Sequence, residues 1–304
     1  MITYINMKKI IIYFTAIIIA IAYTSCRDCE YEVDYSAAAL WKNGVKQELP
    51  YGDLSGYLDV RTYSIFVSGG DVYVAGADRG SAALLWKNGI AQILPQGTRA
   101  YSVFVYDNDV YVVGNIYVWK NGEIVDTLNG GAYSVFVYEG DVYVAGKSVW
   151  KNGEVIQTLG SEANSIVVYN GDVYVATEYT VYKNGEVIQS SPSNARFSSL
   201  FVSDEDVYVS GFEVVPFGSN KARLWKNGIE QNLGGVSGEA TSVFVSGNDV
   251  YVTTVYSVLK NGVVIMESDL RPNATESSYF TSVFVSGNDV YVAGFYYKCI
   301  RVCS

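Results

Sequence analysis

The chain has 304 residues, of which 49% are hydrophobic, so it is long enough to bury one large core or two small ones. Its net charge of −10 argues against a nucleic-acid partner, because phosphate backbones are bound by clustered Lys and Arg. It contains no His, which excludes His-dependent acid–base catalysis, Ser-His-Asp and Cys-His nucleophiles, and the commonest metal ligand.

Residues 1–25 are typical of a signal peptide. Lys8 and Lys9 provide a positive start, and the apolar run at 10–22 is too short to cross a bilayer as a mature helix. The following Tyr-Thr-Ser-Cys resembles the cleavage site of bacterial lipoproteins, although Tyr23 stands where Leu is usual. The resemblance implies that Cys26 becomes the lipidated first residue and anchors the protein to a membrane. The alternative is an ordinary signal peptide followed by a chance Cys.

Residues 26–37 form an acidic tether. The stretch from Arg27 to Asp34 resembles the surface-export signal of lipoproteins in the Bacteroidetes. That resemblance implies an outer-membrane protein exposed at the cell surface. The alternatives are a solvated linker and an anchor on the periplasmic face.

One short unit then recurs seven times between residues 38 and 294, at a spacing of 31 to 43 residues. Its first signature is Asp-Val-Tyr-Val, which begins at Asp71, Asp109, Asp141, Asp172, Asp206, Asp249 and Asp289. Its second is Lys-Asn-Gly, and the residue before that Lys is Trp in five units: Trp41, Trp86, Trp119, Trp150 and Trp225. The other two units carry Tyr182 and Leu259 at this place.

Each unit predicts four antiparallel strands, here named a to d. Strand a is a Ser-Val-Phe-Val run, strand b starts at the Asp, strand c ends in Lys-Asn-Gly, and strand d follows. Asn-Gly is the strongest two-residue hairpin signal, because a type I′ turn needs positive φ at both residues. Four such strands at this period are typical of a propeller blade. The sequence therefore predicts an all-β, seven-bladed β-propeller of four-stranded antiparallel blades.

The order of the pieces predicts how the ring closes. The repeats begin with strands c and d and end with strands a and b, so one blade is shared between the chain ends. Closure removes the free sheet edges that an open ring would leave, and we expect a monomer. Residues 295–304 form a non-repeat tail, which is either an additional strand or a degenerate repeat.

The repeated residues have structural interpretations. We expect the five Trp to pack between blades rather than to form sugar-stacking platforms. The seven Asp are expected to accept hydrogen bonds from turn amides and to pair with the Lys that ends strand c. No metal site, cofactor or catalytic residue is expected.

The Leu-Trp-Lys-Asn-Gly and Ser-Val-Phe-Val…Asp-Val-Tyr-Val units resemble those of exported β-propeller lipoproteins of gut Bacteroidetes. The resemblance covers roughly residues 39 to 294 and implies the same fold. It brings no established activity. A more distant resemblance to Kelch repeats lacks the paired Gly of that pattern.

The two faces of the disc differ in sequence. The a–b and c–d turns, which share the turn face, are short and nearly identical, whereas the b–c and d–a loops of the loop face vary. The longest loops are 50–63, 212–223 and 267–281, and we expect them to form one lobe, with 212–223 in the blade before the closing one. Their candidate ligand residues are Tyr51, Tyr57, Arg61, Phe212, Phe217, Arg271 and Tyr279. Shorter loops add Arg99, Tyr101 and Arg196.

Mixed aromatic, Arg and carboxylate side chains suit recognition of a protein or glycan partner. The sequence therefore favours a non-catalytic binding module of the cell envelope. One alternative is a carboxylate-based polysaccharide hydrolase or lyase, which would need two converging carboxylates. Another is a purely structural envelope component.

Overall fold

The computed structural model describes residues 29–51, 59–78, 81–268 and 276–303, with side chains in the two terminal strands described from Ser36 and as far as Tyr297. The predicted signal peptide, Cys26, Tyr57 and Arg271 lie outside the described residues. Within the described ranges the secondary structure consists of strands, and no helix there is long and apolar enough to span a membrane.

In the described residues, twenty-eight strands form seven antiparallel sheets of four strands, each of which is one blade. In chain order, the strands are β1 (Cys29–Lys42) and β2 (Val45–Glu48) of blade 1; β3 (Val60–Ser68), β4 (Asp71–Asp78), β5 (Ala82–Lys87) and β6 (Ile90–Leu94) of blade 2; β7 (Ser102–Tyr106), β8 (Asp109–Gly114), β9 (Tyr117–Lys120) and β10 (Glu123–Thr127) of blade 3; β11 (Ala132–Tyr138), β12 (Asp141–Gly146), β13 (Ser148–Lys151) and β14 (Glu154–Thr158) of blade 4; β15 (Ala163–Tyr169), β16 (Asp172–Thr177), β17 (Thr180–Lys183) and β18 (Glu186–Ser190) of blade 5; β19 (Ala195–Ser203), β20 (Asp206–Glu213), β21 (Lys221–Lys226) and β22 (Ile229–Gln231) of blade 6; β23 (Ala240–Ser246), β24 (Asp249–Thr254), β25 (Ser257–Lys260) and β26 (Val263–Glu267) of blade 7; and β27 (Glu276–Ser286) and β28 (Asp289–Cys303), which return to blade 1. The predicted seven-bladed β-propeller is confirmed.

The blades form a closed ring. Strand a of every blade, which is β27 in blade 1, contacts strand a of both neighbouring blades, so these strands line the central channel. Blade 1 has the order β2-β1-β28-β27, which joins the two chain ends in one sheet, as the order of the repeats predicts.

β1 and β28, which close the ring, are longer than strands c and b of the other blades. β1 pairs with β28 from Lys42 opposite Tyr291 to Cys29 opposite Cys303, with one irregularity between Tyr31 and Asp34. Part of the acidic tether and nearly all of the tail therefore continue strands c and b of blade 1. Pairing along this length joins the facing backbone groups of the two segments, and Tyr296 of the tail is buried in the core.

The c–d hairpins have the predicted turn. In the seven Lys-Asn-Gly segments the Asn has a φ of 50 to 54° and the Gly a φ of 78 to 88°. Positive φ at both central residues defines the type I′ turn, whose twist matches that of the flanking strands. Strand d follows at the outer edge, where many side chains are exposed.

The five repeat Trp are buried between blades, with exposures of 0 to 5%. Trp119 of blade 3, for example, packs in one cluster with Leu85 and Leu94 of blade 2. Its indole Nε1 donates a hydrogen bond of 3.0 Å to the carbonyl of Pro95 in the connecting loop. Because an aromatic side chain buries roughly 150–250 Å², these residues dominate the contacts that hold neighbouring blades together.

A repeated Ser adds a polar link between blades. In strand a, the Ser two positions before the Phe accepts a hydrogen bond from a backbone N–H in strand a of the next blade. The distances are 3.2 to 3.5 Å where Ser64, Ser102, Ser134, Ser165 and Ser242 are the acceptors. The sequence displays this Ser clearly, but its partner belongs to another blade and is visible only in the fold.

Candidate functional site

The turn face carries the same polar cluster in each blade. The Asp that begins strand b lies 2.6 to 2.8 Å from the Nζ of the Lys that ends strand c. The Asn after that Lys donates its Nδ2 to the other Asp oxygen at 2.7 to 2.8 Å. The Lys ammonium also lies 5.2 to 5.5 Å from the centroid of the strand-b Tyr ring.

The expected role of the Asp is wrong in one respect. The turn amide, which is the N–H after each Asp, donates to the Asn Oδ1 at 2.8 to 2.9 Å. The Asp instead accepts from the Asn side chain and from the Lys. Because the Asn already stands at positive φ in the turn, its short side chain reaches back to strand b and occupies the place expected for the carboxylate.

The clusters are electrostatically satisfied. The hydrogen bond from Lys is the main cause that lowers the pKa of each of the seven Asp, and the hydrogen bond from Asn lowers it further. The hydrogen bond to Asp likewise raises the pKa of each paired Lys. These charges have partners within their own blade, and the same group recurs around the ring. The turn face differs locally at a pocket of about 300 Å³ between blades 6 and 7, whose lining includes Lys226, Asn248 and Asn261.

The loop face differs from blade to blade at the channel mouth. Three residues before the strand-a Phe, consecutive blades carry Tyr63, Tyr101 and Tyr133. Their neighbouring ring centroids are 5.3 and 5.2 Å apart, so the three rings form a continuous arc over blades 2 to 4. We call these residues the Tyr arc. Each side chain is half-buried and leaves part of its surface open to solvent.

The other half of the mouth is polar. The equivalent positions of blades 5, 6, 7 and 1 carry Asn164, Ser198, Thr241 and Thr281. Asn164 is exposed and donates its Nδ2 to the carbonyl of Phe197 at 3.1 Å. The mouth is therefore aromatic on one side and lined by hydroxyl and amide groups on the other.

A ring of Phe lines and narrows the channel below the mouth. Six blades place a strand-a Phe here, and the centroids of the contacting neighbours are 4.5 to 4.8 Å apart. These residues are Phe66, Phe104, Phe136, Phe201, Phe244 and Phe284, and blade 5 carries Val167 instead. At about 3.3 Å per residue, the Phe lie about 10 Å deeper than the Tyr arc. They give the mouth an apolar floor.

A cleft of about 560 Å³ opens beside the polar half of the mouth, over blades 5 and 6. Asn164 and Ser198 belong to both the cleft and the mouth. The cleft is also lined by Ser161, Glu162, Glu178, Arg196, Phe197 and Phe212. Burial raises the pKa of the Tyr133 hydroxyl, and a hydrogen bond to Glu162 raises it further. The last ring of the Tyr arc therefore lies near Glu162 of the cleft wall.

Three Arg occupy the same repeat position, two residues before the mouth position, but their surroundings differ. Arg61 lies 3.0 Å from Asp59, and Arg196 forms an ion pair with Glu178. Arg99 is exposed and donates to the Tyr101 hydroxyl at 3.2 Å. Across the described residues, no carboxylate lies within ion-pair distance of Arg99, whose charge is open to a ligand.

Arg61 and Tyr279 meet in an aromatic cluster of blade 1. Arg61 donates to the Tyr297 hydroxyl at 3.1 Å, and its guanidinium lies 5.2 Å from the Phe295 ring centroid. Tyr279 stacks on Phe295 at 5.2 Å with an interplanar angle of 3°. Phe295 and Tyr297 come from the predicted tail, so sequence analysis had no means of placing them beside Arg61.

The predicted lobe of three loops is wrong. Loop 212–223 lies in blade 6, and all of blade 7 separates it from blade 1. Phe212 lines the cleft, whereas Arg61 and Tyr279 belong to the cluster of blade 1. Phe217 is fully exposed at a loop tip with a φ of 60°, and Tyr51 packs against the core between blades 1 and 2.

The described residues include no group of three or more His, Cys, Asp or Glu that could hold a metal ion. Glu162 and Glu178 do line the same cleft, but Glu178 is held by Arg196. The geometry is that of an open cleft with aromatic, polar and charged walls.

The chain matches no protein-family description and no curated protein. Solved propellers resemble it in fold. The WD40 domain of Neurospora crassa Pan2 has a TM-score of 0.52 at 13% identity, covering 77% of this chain and 88% of that domain. The computationally designed protein Ika8 has a TM-score of 0.49 at 14% identity, covering 79% of this chain and 96% of the designed one. At 13% identity the likeness to the Pan2 domain shows the fold alone.

Proposed function

We propose that the protein is a non-catalytic binding module of the cell envelope, which holds a ligand at the mouth and cleft of its loop face. The observation that carries the proposal is the contrast between the two faces. The turn face repeats one internally paired cluster seven times, whereas the equivalent loop-face positions are occupied by Tyr, Asn, Ser, Thr, Arg and Glu. Individual side chains on a repeated scaffold are what specific recognition requires.

The anchor is part of the same proposal. Lipidation at Cys26 would place the propeller at the membrane surface through residues 27–28 and the start of β1. Cys26→Ala should release the full chain from the membrane fraction, because a single signal of this kind provides the attachment. Unchanged retention in the membrane fraction would contradict the anchor and leave the binding face untouched.

The binding face is tested by comparing two multiple variants of the full chain on a glycan array and against detergent-extracted envelope proteins. In the first, Tyr101, Phe212 and Phe217 are replaced with Ala. In the second, Lys120 and Lys151 of the turn face are replaced with Gln. The first should weaken binding by more than ~2 kcal/mol in total, because aromatic anchors dominate interfaces. Binding that survives the first variant and is lost in the second would refute the assignment.

A further inference from the structure

Arg99 is an Arg near the mouth whose charge has no ion-pair partner among the described residues. Its equivalents Arg61 and Arg196 are neutralised by Asp59 and Glu178, whereas the one polar side-chain partner described for Arg99 is a Tyr hydroxyl. The charge of Arg99 also lowers the pKa of Tyr63, against the stronger effect of burial, so the guanidinium faces two rings of the Tyr arc. An exposed guanidinium set beside aromatic rings is suited to a carboxylate on a ligand that lies against those rings.

The walls indicate what else the ligand carries. The Tyr arc offers apolar ring surface, and Asn164 and Ser198 offer uncharged polar groups across the mouth. The hydroxyls of Thr241 and Thr281 are bonded within the protein, to Thr253 and to the Ala293 carbonyl. A sugar ring has this same division, with a C–H face on one side and hydroxyls around its edge. An acidic peptide would instead need pockets for successive apolar side chains, whereas the mouth offers one arc of rings and a polar side.

The ring of Phe limits how far a ligand can enter the channel. The phenyl rings contact one another around the channel at 4.5 to 4.8 Å, so they form an apolar constriction at this level. The end of a ligand can enter the mouth, while its next units leave sideways through the cleft of about 560 Å³. The site is therefore shaped for a chain terminus.

The charge of the surroundings limits the ligand to few negative groups. Glu162 lines the cleft beside the ion pair of Arg196 with Glu178, and the whole chain has a net charge of −10. A polyanion would be repelled along its length, whereas one carboxylate at Arg99 would be attracted locally.

We infer that the mouth binds the end of a glycan whose terminal sugar carries one carboxylate, held by Arg99, with the sugar ring against the Tyr arc. This inference rests on the proposed function and names its ligand class. Asn164 and Ser198 take hydroxyls of the terminal sugar, and the cleft receives the next, neutral sugars.

The test uses two tetrasaccharides that differ in one group, each titrated calorimetrically into the full chain in detergent. One ends in glucuronic acid at its non-reducing end, and the other ends in glucose at the same place. The acid-terminated probe should bind at least about tenfold more tightly, which is the usual effect of a charge-assisted hydrogen bond. Arg99→Gln should remove that difference by lowering the affinity for the acid-terminated probe to that for the neutral one.

Lys147→Gln is the matched control, since Lys147 is an exposed cation of the same face in a short loop of blade 4. It removes the same charge and should change neither affinity by more than about twofold. Tyr63→Leu should weaken both probes together, because it removes ring surface and no ionic contact.

Equal affinities for the two probes, or a difference that survives Arg99→Gln, would overturn the inference. So would tighter binding of an acidic peptide than of either glycan. If neither glycan binds while the loop-face variant loses a protein partner, the inference fails and the proposed function stands. If the turn-face variant alone loses a ligand, the proposed function fails as well.

Discussion

Trp119 and Gly97 provide a sharp test of how neighbouring blades are joined. A Cβ added to Gly97 would lie 2.5 Å from the Trp119 ring, and 3.0 Å from the Cβ of Ala83. The indole ring of Trp119 therefore packs directly against the backbone of Gly97. If that contact holds blades 2 and 3 together, substitutions at the two positions must depend on each other.

The magnitudes follow from burial. Trp119 is fully buried, and replacing it with Leu, the residue that blade 7 uses at position 259, removes roughly 100 Å² of buried apolar surface, or about 2.5 kcal/mol. Loss of the indole hydrogen bond adds about 0.5 kcal/mol, since the Pro95 carbonyl keeps a second donor, the N–H of Gly97. Gly97→Ala should cost about 1–2 kcal/mol through overpacking. In the double variant the space left by the indole accepts the new methyl group, so the combined loss should fall short of the sum by at least about 1 kcal/mol.

The assay is urea unfolding of the full chain followed by far-ultraviolet circular dichroism, because fluorescence would change with the removed Trp. Val125→Ala on the exposed outer strand of blade 3 is the control and should stay within about 0.5 kcal/mol of the wild type. If the two losses add within about 0.5 kcal/mol, the indole does not lie on Gly97 and the packing described here is refuted.

Three further predictions follow from the fold. The pKa of each turn-face Asp is lowered in the folded protein, so the stability that these groups contribute is complete above the ordinary Asp pKa of 3.8 and is lost as the pH falls through the lowered folded values. The urea midpoint of the wild type should therefore drop below about pH 4. The difference in unfolding free energy between the wild type and Asp109→Asn should shrink in the same range. Ser134→Ala should cost about 1–3 kcal/mol in urea unfolding, because the N–H of Ile166 loses its acceptor between blades, while the exposed Ser81→Ala should cost little. Deleting residues 282–304 removes β28 and the last five residues of β27, and it leaves β1 paired with β2 alone. This should abolish a single cooperative transition, and a truncated chain with the wild-type midpoint would mean that the ring closes another way.

The architecture could be predicted because three independent sequence signals indicate the same fold. Asn-Gly fixes the c–d turns, the seven Asp-Val-Tyr-Val signatures count the blades, and the order of the pieces assigns the closing blade to both chain ends. These signals are local and repeated, so the repeat can still be recognised when one unit departs from the pattern.

The site was harder to predict because its residues are defined by blade neighbours rather than by loop length. Tyr63 and Tyr133 lie at the start of strand a, next to a bulge in the pairing, and they meet only because consecutive blades bring them together. Aligning the seven strand-a segments would reveal the signal: the Ser, Phe and Val columns are nearly constant, while the mouth column changes from Tyr to Asn, Ser and Thr. Phe295 and Tyr297 carried no such signal, since their neighbours are set by the pairing of β28 with β1.

The central claim is that ligand meets the loop face, and site-specific photo-crosslinking of the full chain on intact cells tests it most directly. A photoreactive residue is placed at Tyr101 or Phe217 on the loop face, and at Glu139 or Glu205 in exposed a–b turns of the opposite face. The account predicts that crosslinked adducts form from the two loop-face positions and are absent from the two turn-face positions. Adducts that form from the turn-face positions alone would contradict it.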